Sequence, residues 1–136
     1  MRIKSIRAEF VGFMPKTLDP GVLYVSEMYG TAAHLCACGC GEKIRTPLTK
    51  TEWTFINTYR GPSLYPSIGN WQKQCRSHYW IQNGEIRWAE DWSEAQIEDG
   101  RKQEEKRRRD YLREKYDKDK TLLHILIDWI KSIIKR

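Results

Sequence analysis

The chain has 136 residues, of which 40% are hydrophobic, so one modest core is feasible and the length excludes two independent cores. Its net charge of +6 is unevenly placed, because residues 1–100 carry 11 basic and 11 acidic side chains and the whole excess falls in residues 101–136. A neutral body excludes a basic nucleic-acid-binding domain from that part of the chain.

Short strand-like segments, separated by stretches rich in proline and glycine, predict a β-rich domain over residues 1–92. The clearest local signal is a hairpin around Asn83-Gly84, which is the favoured pair for a two-residue type I′ turn. Residues 61–70 contain two prolines and two glycines and are predicted to be mostly loop. The other predicted strands are 6–11, 22–26, 31–35, 43–48 and 53–58.

Residues 93–136 are predicted to form a helical extension in two parts. Ser93 is a candidate N-cap for a highly charged helix over about 94–117, with Gln96 at the capping-box position. Residues 121–136 follow as a basic, strongly amphipathic helix, which is too short and too polar to span a bilayer. Its apolar face is expected to pack on the body or to self-associate, with a partner protein or an anionic membrane as the alternatives.

Four cysteines lie at positions 36, 38, 40 and 75. No apolar segment follows Met1 to Lys4, so we expect no signal peptide and a cytoplasmic location. In a reducing compartment, clustered cysteines indicate metal binding or catalysis rather than disulfides.

The chemical centre of the sequence is predicted to be one zinc ion. Cys36, Cys38 and Cys40 form one half-site, with glycines at 39 and 41, and Cys75 with His78 forms the other. These are five candidates for the four positions of a closed structural site. We favour two of the three clustered cysteines with Cys75 and His78; the alternative is all four cysteines, which leaves His78 free.

The arrangement of two half-sites in two loops, with a hairpin after the second, is similar to a Rieske iron–sulfur domain. Rieske centres use two histidines on one iron, whereas the first loop here offers only cysteine. The predicted fold class is therefore a small, mainly β, Rieske-like domain stapled by Zn2+, with a C-terminal helical extension. A Rieske-like electron carrier stays open as an alternative, and colour would reveal it.

Four segments together resemble a bacterial family labelled as a domain of unknown function. They are residues 34–41 (HLCACGCG), 46–48 (TPL), 63–71 (SLYPSIGNW) and 75–81 (CRSHYWI). Members of that family are encoded in operons with ubiquitin-like proteins and with E1-, E2- and JAB-type enzymes. The resemblance covers about residues 8–90 and implies a serine-type peptidase acting on a ubiquitin-like protein, with the conjugation enzymes as partners.

Ser67 is the candidate nucleophile, because a proline-fixed loop followed by glycine can present a hydroxyl at a rigid turn. Judged on spacing alone, Ser67 is more simply a turn hydroxyl. The base would be His34 if His78 binds the metal, or His78 if the metal takes four cysteines. Glu27 or Glu42 is the candidate to orient the base, and Asn70 is a candidate donor to the oxyanion.

Two functions follow from these observations. One is a zinc-stabilised hydrolase that trims or removes a ubiquitin-like protein. The other is a non-enzymatic zinc-binding adaptor in the same pathway. Substitution of Ser67 by alanine would separate them, because only the enzyme depends on that hydroxyl.

Overall fold

The computed structural model describes residues 1–89 and 92–135; residues 90, 91 and 136, which the predicted domains include, lie outside this description. Within the described ranges, the body has eight strands and the extension has one helix. They are β1 (Arg7–Phe10), β2 (Val22–Ser26), β3 (Thr31–Leu35), β4 (Lys43–Pro47), β5 (Thr54–Thr58), β6 (Gly61–Gly69), β7 (His78–Gln82), β8 (Glu85–Trp88) and α1 (Glu94–Ile134). The predicted class, mainly β with a helical C-terminal extension, is confirmed.

The strands form two four-stranded sheets, in the orders β1-β2-β3-β4 and β5-β6-β7-β8. Strands β1 and β2 are parallel, and the other neighbours are antiparallel. Both sheets contribute to one apolar core. It contains Leu23, Val25, Ala32 and Ile44 from the first sheet, and Leu64, Ile68, Tyr79 and Ile81 from the second.

Strand β2 is buried along its whole length, because alternate residues point to opposite faces of a sheet. Leu23 and Val25 enter the shared core. Val22 and Tyr24 face a smaller cluster on the other side, which includes Leu18 and Ala33. The five-residue run VLYVS therefore has no solvent-facing position, as its lack of polar alternation indicates.

The predicted hairpin is confirmed, because β7 and β8 pair on either side of Asn83-Gly84. Asn83 and Gly84 have φ of 49° and 77°, the left-handed values that a type I′ turn requires. A Cβ at Gly61 would lie 2.6 Å from the Gly84 Cα. The start of β6 therefore packs against this turn at a distance that only glycine permits.

The prediction that residues 61–70 are mostly loop is wrong, because 61–69 form β6, the longest strand. Pro62 pairs with Asn57 of the neighbouring edge strand. Pro66 lies between Leu64 and Ile68, where the register with β7 shifts. Proline has no backbone N–H to donate to the sheet. It is tolerated beside an edge strand or in a bulge, where the regular pattern of hydrogen bonds is incomplete.

The extension is one helix of 41 residues, whereas two helices were predicted. No proline or glycine lies between residues 101 and 134, so nothing in the local sequence breaks the helix between its charged and apolar parts. Residues 1–93 and the helix form two separate compact units. Within the described ranges, no helix has the length and apolar character needed to cross a membrane.

Candidate active site and metal centre

Ser67 lies in a bulge of β6. Leu64 is opposite Ile81 and Ile68 is opposite Tyr79, so four residues of advance along β6 match two along β7. Tyr65, Pro66 and Ser67 fill this irregular stretch, and the Tyr65–Pro66 peptide bond is cis. Bulges re-aim side chains that a regular strand would turn elsewhere. The bulge is thus what presents the Ser67 hydroxyl, which is half-buried.

The Ser67 hydroxyl is hydrogen-bonded to His78. Its Oγ lies 2.8 Å from His78 Nε2. His78 begins β7 directly opposite Gly69 of β6 and is only 5% exposed. A serine hydroxyl within hydrogen-bond reach of an imidazole nitrogen is the arrangement in which the imidazole can take the hydroxyl proton and activate the nucleophile.

Two tryptophans enclose His78. The ring of Trp71 lies 4.9 Å from the imidazole and that of Trp92 lies 4.8 Å from it, both edge to face. The two indoles stack on each other at 5.7 Å. A Cβ at Gly69 would approach Trp71 Nε1 to 2.7 Å, so the indole rests on bare backbone at that position. These contacts restrict the orientation of the imidazole and exclude water from its faces.

The four cysteine sulfurs gather at one place. The Sγ atoms of Cys36, Cys38, Cys40 and Cys75 all lie within 4.8 Å of one another, and none of the cysteines forms a disulfide. Cys36 Sγ is 3.4 Å from Cys38 Sγ and 3.9 Å from Cys75 Sγ. A tetrahedral site with zinc–sulfur bonds of about 2.3 Å has sulfur–sulfur separations of about 3.8 Å. The donor set and its spacing fit a zinc ion.

Glycine shapes the turn that carries three of these sulfurs. Gly39 has a φ of +88°, and a Cβ there would lie 2.7 Å from the backbone N and O of Met1. Only glycine combines that backbone conformation with so close an approach. The alternation of cysteine and glycine therefore lets Cys36, Cys38 and Cys40 point toward a common centre.

The thiols differ in acidity according to their surroundings. Burial and the hydrogen bond with Cys36 raise the pKa of Cys38 to about 12. Burial also opposes ionisation of Cys75, but hydrogen bonds from the Ser77 hydroxyl and backbone amide lower its pKa to about 7. Four sulfurs this close repel one another's charges, and a bound divalent cation would relieve that repulsion.

Among the described residues, neither His78 nor His34 belongs to the group of side chains that could share a metal ion. His78 pairs with Ser67. His34 lies in β3, fully buried, with Nε2 2.7 Å from the Tyr79 hydroxyl. Burial lowers the pKa of His34 to about 4, so this imidazole is neutral at neutral pH.

The remaining predicted groups are also placed elsewhere. Glu42 is exposed and forms an ion pair with Lys73 at 3.2 Å, and Glu27 lies in the exposed turn after β2. The Asn70 side-chain amide donates to Ser77 Oγ at 3.0 Å and lies 3.5 Å from Cys36 Sγ. Trp71 and Ser77 lie in two of the segments that carry the family resemblance, but the sequence does not identify them or Trp92 as neighbours of the site, because their positions depend on how the strands meet.

Comparison with protein-family models matches residues 10–89 to BubE, the bacterial ubiquitination-like system serine protease. The matched segment contains Ser67, His78 and all four cysteines. Comparison with curated protein sequences and with solved structures finds no match, so the Rieske-like part of the fold prediction stays a prediction. Because the match covers more than half of the chain, the chain belongs to the BubE family of bacterial ubiquitination-like system serine proteases.

Proposed function

We propose that this chain is a zinc-stabilised serine peptidase that processes or deconjugates a bacterial ubiquitin-like protein, with Ser67 as nucleophile and His78 as its general base. The observation that carries the proposal is the 2.8 Å hydrogen bond between Ser67 Oγ and His78 Nε2. It is supported by membership of the BubE family, whose description names a serine protease.

The chemistry follows from this pair. His78 Nε2 accepts the hydroxyl proton as Ser67 Oγ attacks the carbonyl carbon of the scissile bond. The same imidazole then returns the proton to the leaving amine, and an acyl-enzyme ester remains on Ser67. A water molecule then attacks the ester carbonyl as His78 takes a proton from it, and His78 gives that proton to Ser67 Oγ as the carboxyl end of the ubiquitin-like protein is released. The two indoles keep the imidazole oriented through these proton transfers.

The metal site has a structural role in this proposal. The four cysteines are the proposed ligands, which takes the second of the two ligand sets predicted and leaves His78 for catalysis. A closed site of four thiolates has no open position for a water nucleophile. Zinc would therefore stabilise the fold by linking the cysteines, and would not activate water for hydrolysis of the peptide bond. The unpaired cysteines agree with a reducing, cytoplasmic location.

The proposed partners are a ubiquitin-like protein and the enzymes that conjugate it. The substrate would be a folded domain with a flexible C-terminal tail, bound in extended form near β6. Self-association through the helix is a separate proposal, since the large apolar side chains between Leu122 and Ile134 are exposed.

The test is cleavage of a ubiquitin-like precursor encoded beside the chain, with metal analysis of each protein used. We expect one zinc per chain in wild type, Ser67→Ala and His78→Gln, and cleavage by wild type alone. Far-UV circular dichroism of the two variants controls for folding. Full metal content with no cleavage by any of the three would overturn the peptidase and favour the adaptor.

A further inference from the structure

Two buried polar side chains lie between the sulfur cluster and the Ser67–His78 pair. Ser77 Oγ is 3.0 Å from Cys36 Sγ and 3.4 Å from Cys75 Sγ. The Asn70 amide nitrogen is 3.0 Å from Ser77 Oγ and 3.5 Å from Cys36 Sγ. Ser77 is 6% exposed and Asn70 7%. Buried polar groups keep their partners because water cannot replace them, so the sulfurs hold both side chains in place.

The same two residues are attached directly to the reactive pair. Ser77 immediately precedes His78, and Asn70 immediately follows Gly69, the strand partner of His78. The Asn70 backbone N–H donates to the Ser77 carbonyl at 2.8 Å. Ser67 lies in the bulge of β6, three residues before Asn70. A displacement of Ser77 or Asn70 would therefore change the position of the imidazole relative to Ser67.

A metal would make this bridge rigid. Cys36, Cys38 and Cys40 follow β3 of the first sheet, whereas Cys75 precedes β7 of the second. One ion held by all four sulfurs would cross-link the two sheets near Ser77 and Asn70. Groups that hydrogen-bond to metal ligands typically change metal affinity or activity about 10- to 100-fold when removed.

We propose that the metal centre positions the Ser67–His78 pair through Ser77 and Asn70, so that the metal-loaded protein is the active form of the peptidase. Ser77 and Asn70 are positioning residues, since each acts on the imidazole through its neighbours. The proposal rests on the proposed function and adds to it that metal occupancy controls the reactivity of Ser67.

The first experiment measures Ser67 reactivity in the full chain with a fluorophosphonate, which labels activated serines without the need for a protein substrate. We expect Ser77→Ala at saturating zinc to label about 10-fold or more slowly than wild type. Its kcat for precursor cleavage should fall while KM stays unchanged, because substrate contacts are intact. Ser77→Thr keeps the hydroxyl and should restore most of the labelling rate.

The matched control is Ser63→Ala. Ser63 is also a buried serine, 2% exposed, but its hydroxyl accepts a hydrogen bond from the Asn83 backbone N–H at 2.8 Å, away from the sulfurs. This variant should lose stability without a change in labelling rate. Competition with a chelating indicator gives a readout apart from activity: zinc affinity should fall about 10- to 100-fold in Ser77→Ala and stay unchanged in Ser63→Ala.

The second experiment removes zinc from wild type with a chelator and then restores it, with circular dichroism as the check on folding. We expect labelling to be lost and recovered with the metal. If Ser77→Ala does not fold, Asn70→Ala takes its place. Wild-type labelling rates in folded, metal-loaded Ser77→Ala or Asn70→Ala would overturn the coupling. Metal-loaded wild type that is not labelled at Ser67 would overturn the proposed function itself, and the coupling with it.

Discussion

At the scale of single residues, the two histidines of the body have opposite surroundings. His78 is bonded to a serine in a bulge, and its ring is enclosed by two indoles. His34 is fully buried, bonds to the Tyr79 hydroxyl and stays neutral because burial depresses its pKa. The first surroundings suit proton transfer to and from a substrate, and the second suit packing of the core.

Substitution of the two histidines separates these roles. We expect His78→Gln to abolish precursor cleavage, because it removes the proposed general base, and to retain one zinc per chain. His34→Gln should keep cleavage and lose about 1–3 kcal/mol of stability through its disturbed hydrogen bond with Tyr79. Cleavage rates and denaturant unfolding measure both effects. Loss of cleavage in folded His34→Gln, with His78→Gln active, would assign the base to His34 instead.

Gly69 offers a second test at this scale. A Cβ at this position would meet Trp71 Nε1 at 2.7 Å, so Gly69→Ala should push the indole away from His78. We expect slower cleavage together with a changed tryptophan emission spectrum. Gly12→Ala is the control, because a Cβ there meets nothing within 4 Å. An active Gly69→Ala with unchanged emission would show that the contact between Trp71 and His78 does not matter for catalysis.

At the scale of elements, β6 and α1 differ from what their local sequence predicts. The two prolines of β6 suggested a loop, but one lies against the edge strand and the other in the bulge. The change from charged to apolar sequence after residue 120 suggests a break in the helix. However, no proline or glycine is present there to end it. The prolines are accommodated by the pairing of β6 with its neighbours, and the helix continues because no residue after 100 breaks it.

The exposed apolar stripe of α1 leads us to predict that the chain self-associates. Leu126, Ile130 and Ile133 lie one turn apart on the same side and are 42–50% exposed, and such a stripe is stabilised by burial against a second copy. We expect the full chain to sediment as an oligomer and Leu126→Glu with Ile130→Glu to sediment as a monomer. Lys131→Glu, on the polar side, should leave the mass unchanged. Monomeric wild type would refute self-association.

At the scale of the whole molecule, the Ser67–His78 pair and the cluster of four cysteines both belong to residues 1–93. The core joins the two sheets, and the family match at 10–89 lies within the same unit. The helix belongs to a separate unit. Folding of the body should therefore be independent of the extension.

Deletion of residues 94–136 tests this independence. We expect the truncated body to keep one zinc per chain and a cooperative thermal transition, because all four cysteines and the shared core remain. Metal analysis and calorimetry measure the two properties, with the full chain as reference. A truncated body that expresses without metal would contradict the prediction.

Local sequence was enough to determine what depends on neighbours in the chain. Residue-level conformational preferences explain the left-handed turn at Asn83-Gly84 and the strands on either side of it. They also explain the tight turn that the glycines permit within residues 36–41. The candidate nucleophile and the five candidate metal ligands were also identifiable, because their residue types carry their chemistry. The family resemblance, stated on four such segments, is confirmed by the family match.

Only the tertiary structure decided which of these groups meet. The shift in register between β6 and β7 brings Ser67 to His78, and the approach of the two sheets brings Cys75 to the three sulfurs after β3. Spacing along the chain could not distinguish His34 from His78 as the base, nor choose between the two ligand sets. The physical reason is that a one-residue change of register moves every side chain of a strand to the opposite face.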